Sequence, residues 1–195
     1  MSNVSEFIEQ LKQWGKRETG DQRAAMAELR RGLQEFPHLA PYMHRYVAPF
    51  AGYKKGWEKQ TYYLTAALFA HYHSGSETPQ YSDQRYVNMG TYFAAVVRQD
   101  PDGKEAIERR FNILLTAHPQ DLHYHLRQAI AFLRSKPEAE IAINWEGLFW
   151  DILQWADDEK RPLIQERWAT NFWGRSDSDK KETDDQTQNT KQGEI

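Results

Sequence analysis

The chain has 195 residues, 39% hydrophobic and 13% aromatic, with seven Trp, no Cys and a formal net charge of -3. Its apolar content is enough for one ordinary domain, or two small ones sharing a core. The lack of Cys excludes a disulfide scaffold and a Cys-ligated zinc site, and it suits a reducing cytosol.

No apolar run approaches the ~20 residues of a membrane helix. The segment MSNVSEFIEQLKQW lacks the basic-then-apolar order of a signal peptide. A soluble, cytoplasmic protein is expected. Its net acidity argues against a simple free-standing nucleic-acid binder.

Phe7, Ile8, Leu11 and Trp14 share a helical face and predict a short opening helix, broken at Gly15 and Gly20. Thr19 or Asp21 can cap a second helix, whose apolar face is Ala25, Met26, Leu29, Leu33 and Phe36 and whose end is Pro37. Residues 37–56 hold three prolines and two glycines and predict a short helix within a connecting region.

TYYLTAALFAHYH, residues 61–73, predicts a buried helix, and SGSETPQ after it a loop. Asp83 is expected to cap a helix through YVNMGTYFAAVV. Within it, Gly90 either admits a neighbouring helix or is tolerated at about 1 kcal/mol. DPDG, residues 100–103, is a turn and the expected subdomain boundary.

Four further helices are expected at roughly 103–117, 120–135, 144–156 and 158–173. Asn144 is a plausible N-cap before the face made by Trp145, Leu148, Phe149, Ile152 and Trp155. Ile164, Trp168 and Phe172 give the last helix its inner stripe. From Gly174 no large apolar residue occurs before Ile195, so a disordered tail is expected.

The expected fold is therefore all-α, with about eight or nine helices in two packed helical-bundle subdomains. These are residues 1–100 and 101–173, followed by a disordered tail at 174–195. No fixed-period repeat supports a solenoid.

Catalytic signatures are missing. HYH occurs at His71/His73 and at His123/His125, but positions i and i+2 of a helix point about 200° apart and cannot chelate one ion. None of the zinc-protease, calcium-loop, phosphate-loop, dinucleotide or nucleophile-elbow motifs is present. No catalytic residue, metal or cofactor is expected. Asp151, inside an aromatic helix, reads as a catalytic acid or, preferably, as a partner for an arginine or a residue at the helix edge. YKKGWEKQTYY, residues 53–63, reads as a stacking-plus-charge surface or, preferably, as the aromatic start of a core helix behind a solvated lysine loop.

The arginines carry more pattern. Arg23 and Arg30 are seven residues apart, within about 20° on a helix, with Ala27 between them. Arg127 and Arg134 repeat that spacing, with His123 and Ala131 on the same stripe. MAELRRGL holds Arg30 with Arg31, and ERRFNILLTA holds Arg109 with Arg110 beside an apolar face. Three readings are open: solvated helix surface, partners of buried carboxylates, or contacts to an external anion.

Residues 104–136 carry six bases against three acids, whereas 137–173 carry eight acids against Lys160, Arg161 and Arg167. Such segregation makes a basic face on an acidic protein, or the two segments pack and neutralise each other.

RAAMAELRRGL (23–33), YYLTAALFAHYH (62–73), RRFNILLTAHPQDLHYHLRQAIAFLRSK (109–136), INWEGLFWDILQW (143–155) and RPLIQERWATNFW (161–173) occur in that order. Together they resemble the CasB family, the small subunit of the type I-E CRISPR interference complex, Cascade. The resemblance spans about residues 21–173 and is most specific in its C-terminal part. Residues 37–60 carry no such match.

The resemblance implies an all-helical, non-enzymatic subunit of two packed helical subdomains. It implies two copies per complex, lying along the guide-RNA-bearing backbone and touching the large subunit. The implied partners are those subunits, a second copy of the chain, guide RNA and target DNA, with no membrane. The implied role is holding DNA strands on basic surfaces so that the R-loop persists. That exchange is nearly balanced, so modest backbone contacts tip it.

By match to the family's motifs, the implied contacts are Arg30, Arg31, Arg109, Arg110, Arg127 and Arg134, with Arg23 and Lys136 secondary. Two rivals remain. One is a helical protein–protein adaptor, whose arginines would engage acids of neighbouring helices. The other is a metal-dependent enzyme built on scattered His and Asp.

Overall fold

The computed structural model describes residues 3–34, 40–75 and 80–174. Among these are nine α-helices: α1 Asn3–Gly15, α2 Gly20–Arg31, α3 His44–Ala51, α4 Gly56–Tyr72, α5 Met89–Gln99, α6 Lys104–Leu115, α7 Leu122–Arg134, α8 Trp145–Trp155 and α9 Lys160–Trp173. Short 3-10 turns follow α2, precede α3 and follow α7. The sole extended pairing among the described residues is one bridge between Tyr81 and Ile143. The all-α expectation holds. Phe36, Pro37, part of the 74–80 loop and the expected tail beyond Gly174 lie outside the described residues.

Capping side chains set several boundaries. Thr19 rather than Asp21 caps α2: its Oγ1 accepts from the Gln22 N–H at 3.2 Å, and Gln22 Oε1 accepts from the Thr19 N–H at 3.1 Å. Asn144 caps α8 as expected, its Oδ1 accepting from the Gly147 N–H at 2.8 Å.

Two boundaries differ from the sequence reading. α5 starts at Met89, because Asn88 Oδ1 accepts from the Gly90 N–H at 3.0 Å. Asp83 instead pairs with Lys12 at 3.0 Å. α4 starts at Gly56, ahead of residue 61.

α4 is the hub. Thr61 through Ala70 are all buried, the mark of a helix covered on every side. α2, α3, α7 and α8 pack around it, and α5 lies chiefly along α9. One hydrophobic cluster takes residues from both halves of the chain, from Val4 to Trp168.

Four tryptophans lock this core by finding acceptors for their indole N–H groups. Trp145 donates to His73 Nε2 at 3.1 Å, Trp155 to the Ala117 carbonyl at 3.0 Å, Trp168 to Asp151 Oδ2 at 2.7 Å, and Trp57 to the Ile152 carbonyl at 2.8 Å. Among the described residues, no helix is long and apolar enough to cross a membrane.

Candidate nucleic-acid interface

The end of α4 is where the arginines meet. After Tyr72 the chain turns through His73, Ser74 and Gly75, the last at φ +83°, a value that suits glycine. A helix C-terminus carries partial negative charge on unpaired carbonyls, so cations settle there.

Arg30 of α2 donates from Nη1 to Ser74 Oγ at 2.6 Å. Arg134 of α7 donates from Nη2 to the Ser74 carbonyl at 2.9 Å. Arg17, in the bend between α1 and α2, donates to the His73 carbonyl. Arg127 of α7 donates from Nη1 to the Leu33 carbonyl at 2.8 Å, tying α7 to the turn after α2. Arg23 reaches the Arg17 carbonyl at 3.0 Å.

All of these use backbone carbonyls or a hydroxyl. Among the described residues, none of the five guanidinium groups has a carboxylate at ion-pair distance. No ion pair among the described residues offsets this positive charge. The charge also acts on its neighbours. Burial, then the Arg30 charge and the Arg134 charge, pull the Arg17 guanidinium below its ordinary value.

His71, in the last turn of α4, has its Nε2 buried without a hydrogen-bond partner among the described residues. Burial first, then Arg134, Arg127 and Arg30, lower its pKa. His73 is pushed down to about 3 by burial, with Arg17 adding to the effect. It stays neutral and accepts from Trp145.

The remaining expected contacts have other partners. Arg31 sits over the Tyr42 ring, 4.7 Å from its centroid. Arg109 pairs with Glu105 at 3.2 Å, and Lys136 with Asp100 at 3.2 Å. Arg110 lies over the Phe132 ring at 5.2 Å. Phe132 and Arg134 are two residues apart on α7 and so point about 200° apart, which puts Arg110 on another side of that helix.

The two oppositely charged segments do not neutralise each other: no ion pair among the described residues joins 104–136 to 137–173. Asp151 takes the pairing reading, bonded to Arg167 and Trp168. Burial raises its pKa against both partners. In the 53–63 stretch the core reading holds: Tyr62 and Tyr63 are buried, while Lys54 pairs with Glu58.

Arg17 and Ser74 were not legible as site residues. Both sit in breaks between helices, where periodicity carries no information. Arg17 adopts φ +55°, which a non-glycine residue rarely does, and its side chain reaches the end of α4. A basic residue between two glycines was the only available cue.

Fold and surface together define an all-helical protein with an arginine cluster, free of acidic partners among the described residues, at the end of its central helix. The family model for CRISPR-associated protein Cse2 matches residues 25–173, and the chain belongs to that family. It is 30% identical over 176 residues to a CRISPR-associated protein Cse2 of Thermus thermophilus, covering 88% of this chain and 92% of that one.

The crystal structure of M. ruber CasB superposes with a TM-score of 0.70 at 30% identity, over 94% of this chain and 98% of that one. A chain in a structure described as a CRISPR RNA-guided surveillance complex shares the fold, with a TM-score of 0.67 at 23% identity, over 88% of this chain and 93% of that one.

Proposed function

We propose that the chain is a non-catalytic subunit of a cytoplasmic type I-E CRISPR surveillance complex, Cascade. In this reading it holds a nucleic-acid backbone on the arginines at the end of α4 and so stabilises the R-loop. Its partners are the backbone and large subunits, a second copy of itself, guide RNA and target DNA.

Membership of the Cse2 family supports the assembly. The observation that carries the nucleic-acid contact is the convergence of Arg30, Arg127 and Arg134, with Arg17, on helix-end and turn carbonyls and the Ser74 hydroxyl, without acidic partners among the described residues. The adaptor reading requires these arginines to engage neighbouring carboxylates. Arg109 pairs instead with Glu105 of its own helix, and Lys136 with Asp100, which makes them weaker contacts than the cluster.

The test is a fluorescence-anisotropy titration of single- and double-stranded DNA across a salt series. It compares the wild type with a folded Arg30→Glu/Arg127→Glu/Arg134→Glu variant. Sequence-independent binding that weakens with salt and disappears in the variant is expected. Binding unchanged by the reversal removes these arginines from the interface.

A further inference from the structure

A cleft of about 510 Å³ opens directly beside the arginine cluster. Arg134 and Ser74 belong to both. Its walls come from the end of α4, the end of α7 and the segment after the following 3-10 turn. Tyr72 and Ile141, both partly exposed, supply apolar faces, with the buried Leu133 behind them. The Tyr72 hydroxyl donates to the Ile141 carbonyl at 2.6 Å, which fixes one wall against another. Glu140, at φ 46° and ψ 45°, is in the left-handed region, and that bend turns the chain back over Tyr72. Gln80 and Glu140 lend polar groups to the lining, and Arg134 and Lys136 a cationic one.

We propose that this cleft receives a single unpaired nucleobase whose phosphate rests on Arg134 and Arg30. The inference rests on the backbone contact proposed above and adds a base-binding element to it. The chemistry of a nucleotide matches the order of the walls. A base offers a flat apolar face to side chains such as Tyr72 and Ile141, hydrogen-bonding edges to Gln80 and Glu140, and an anion to the arginines. The volume lies within the roughly 300–1,000 Å³ of small-ligand sites. A base paired in a duplex does not present its face, so the cleft selects single strands. Backbone contacts alone do not distinguish a base from its absence.

Isothermal titration calorimetry of the full chain with adenosine 5′-monophosphate and with ribose 5-phosphate separates base from phosphate. The nucleotide is expected to bind about tenfold more tightly, the scale of one stacked base. Ile141→Trp, which narrows the cleft against Tyr72, is expected to remove that difference and leave the sugar phosphate unaffected. Equal affinity for the two ligands, no saturable nucleotide binding, or discrimination that survives a folded Ile141→Trp overturns the proposal.

A second measurement needs no variant. An oligodeoxyadenylate is compared with a fully abasic strand of equal length and charge, and equal affinity likewise overturns the proposal. The two readings fail separately. DNA binding that withstands reversal of Arg30, Arg127 and Arg134 removes the backbone contact. Binding lost on that reversal but indifferent to the base removes only the cleft.

Discussion

Arg30 and Arg134 close on the same residue from two different helices, Arg30 on the Ser74 hydroxyl at 2.6 Å and Arg134 on the Ser74 carbonyl at 2.9 Å. Two like charges are thus held at one residue, and a bound anion would relieve their repulsion. In the proposed role each contributes a counterion-releasing contact. Arg30→Ala and Arg134→Ala should each weaken DNA binding across all sequences and lower the slope of log affinity against log salt by about 1. Arg109→Ala should change the slope less, since Arg109 is already paired with Glu105. Anisotropy titrations at several salt concentrations read this directly.

His73 makes stability depend on pH. Its imidazole is buried, accepts from Trp145 and titrates at about 3, against the ordinary 6.5 expected of the unfolded chain. Between those values the unfolded chain binds a proton that the folded chain refuses. Stability is therefore lost as pH falls below 6.5, by about 1.4 kcal/mol per unit from this group. His73→Gln keeps an acceptor for the indole and removes the titration. Urea unfolding at pH 7 and pH 5 should show the wild type losing about 2 kcal/mol more than the variant.

Gly90 decides how closely α5 approaches α9. A Cβ added there would lie 1.9 Å from the Trp168 carbonyl oxygen. In an open helix, Gly→Ala stabilises by up to about 1 kcal/mol. Here the helices must separate, and Gly90→Ala should destabilise by roughly 1–3 kcal/mol. Thermal unfolding gives the sign, and an increase in melting temperature would contradict the close approach.

Asp151 is a structural carboxylate. It accepts from the buried Trp168 indole at 2.7 Å and from Arg167. Asp151→Ala orphans that indole N–H and should cost roughly 1–3 kcal/mol. Asp151→Asn keeps an acceptor and removes a charge that burial disfavours, so it should cost less. Chemical denaturation of both variants ranks them.

Helical periodicity and caps were legible in the sequence because they are local. The stripe Trp145, Leu148, Phe149, Ile152, Trp155 and the cap Asn144 needed no tertiary information. The unbroken apolar run in α4 announced a central helix. The start of α5 was misread because Asp83 and Asn88 are both competent caps, and a long-range ion pair to Lys12 takes Asp83 away. The same limit applied to charge. Sequence spacing placed Arg127 and Arg134 on one stripe, but spacing within a helix says nothing about what faces it.

Composition and periodicity by themselves determined an all-helical chain with a large aromatic core, because burial of apolar faces follows from residue order alone. The order and spacing of five segments between residues 23 and 173 were enough to suggest the family. Only the tertiary structure decided which cations act together. Arg17, Arg30 and Arg134 are far apart in the chain and meet because α4 ends between them, where its exposed carbonyls attract positive charge.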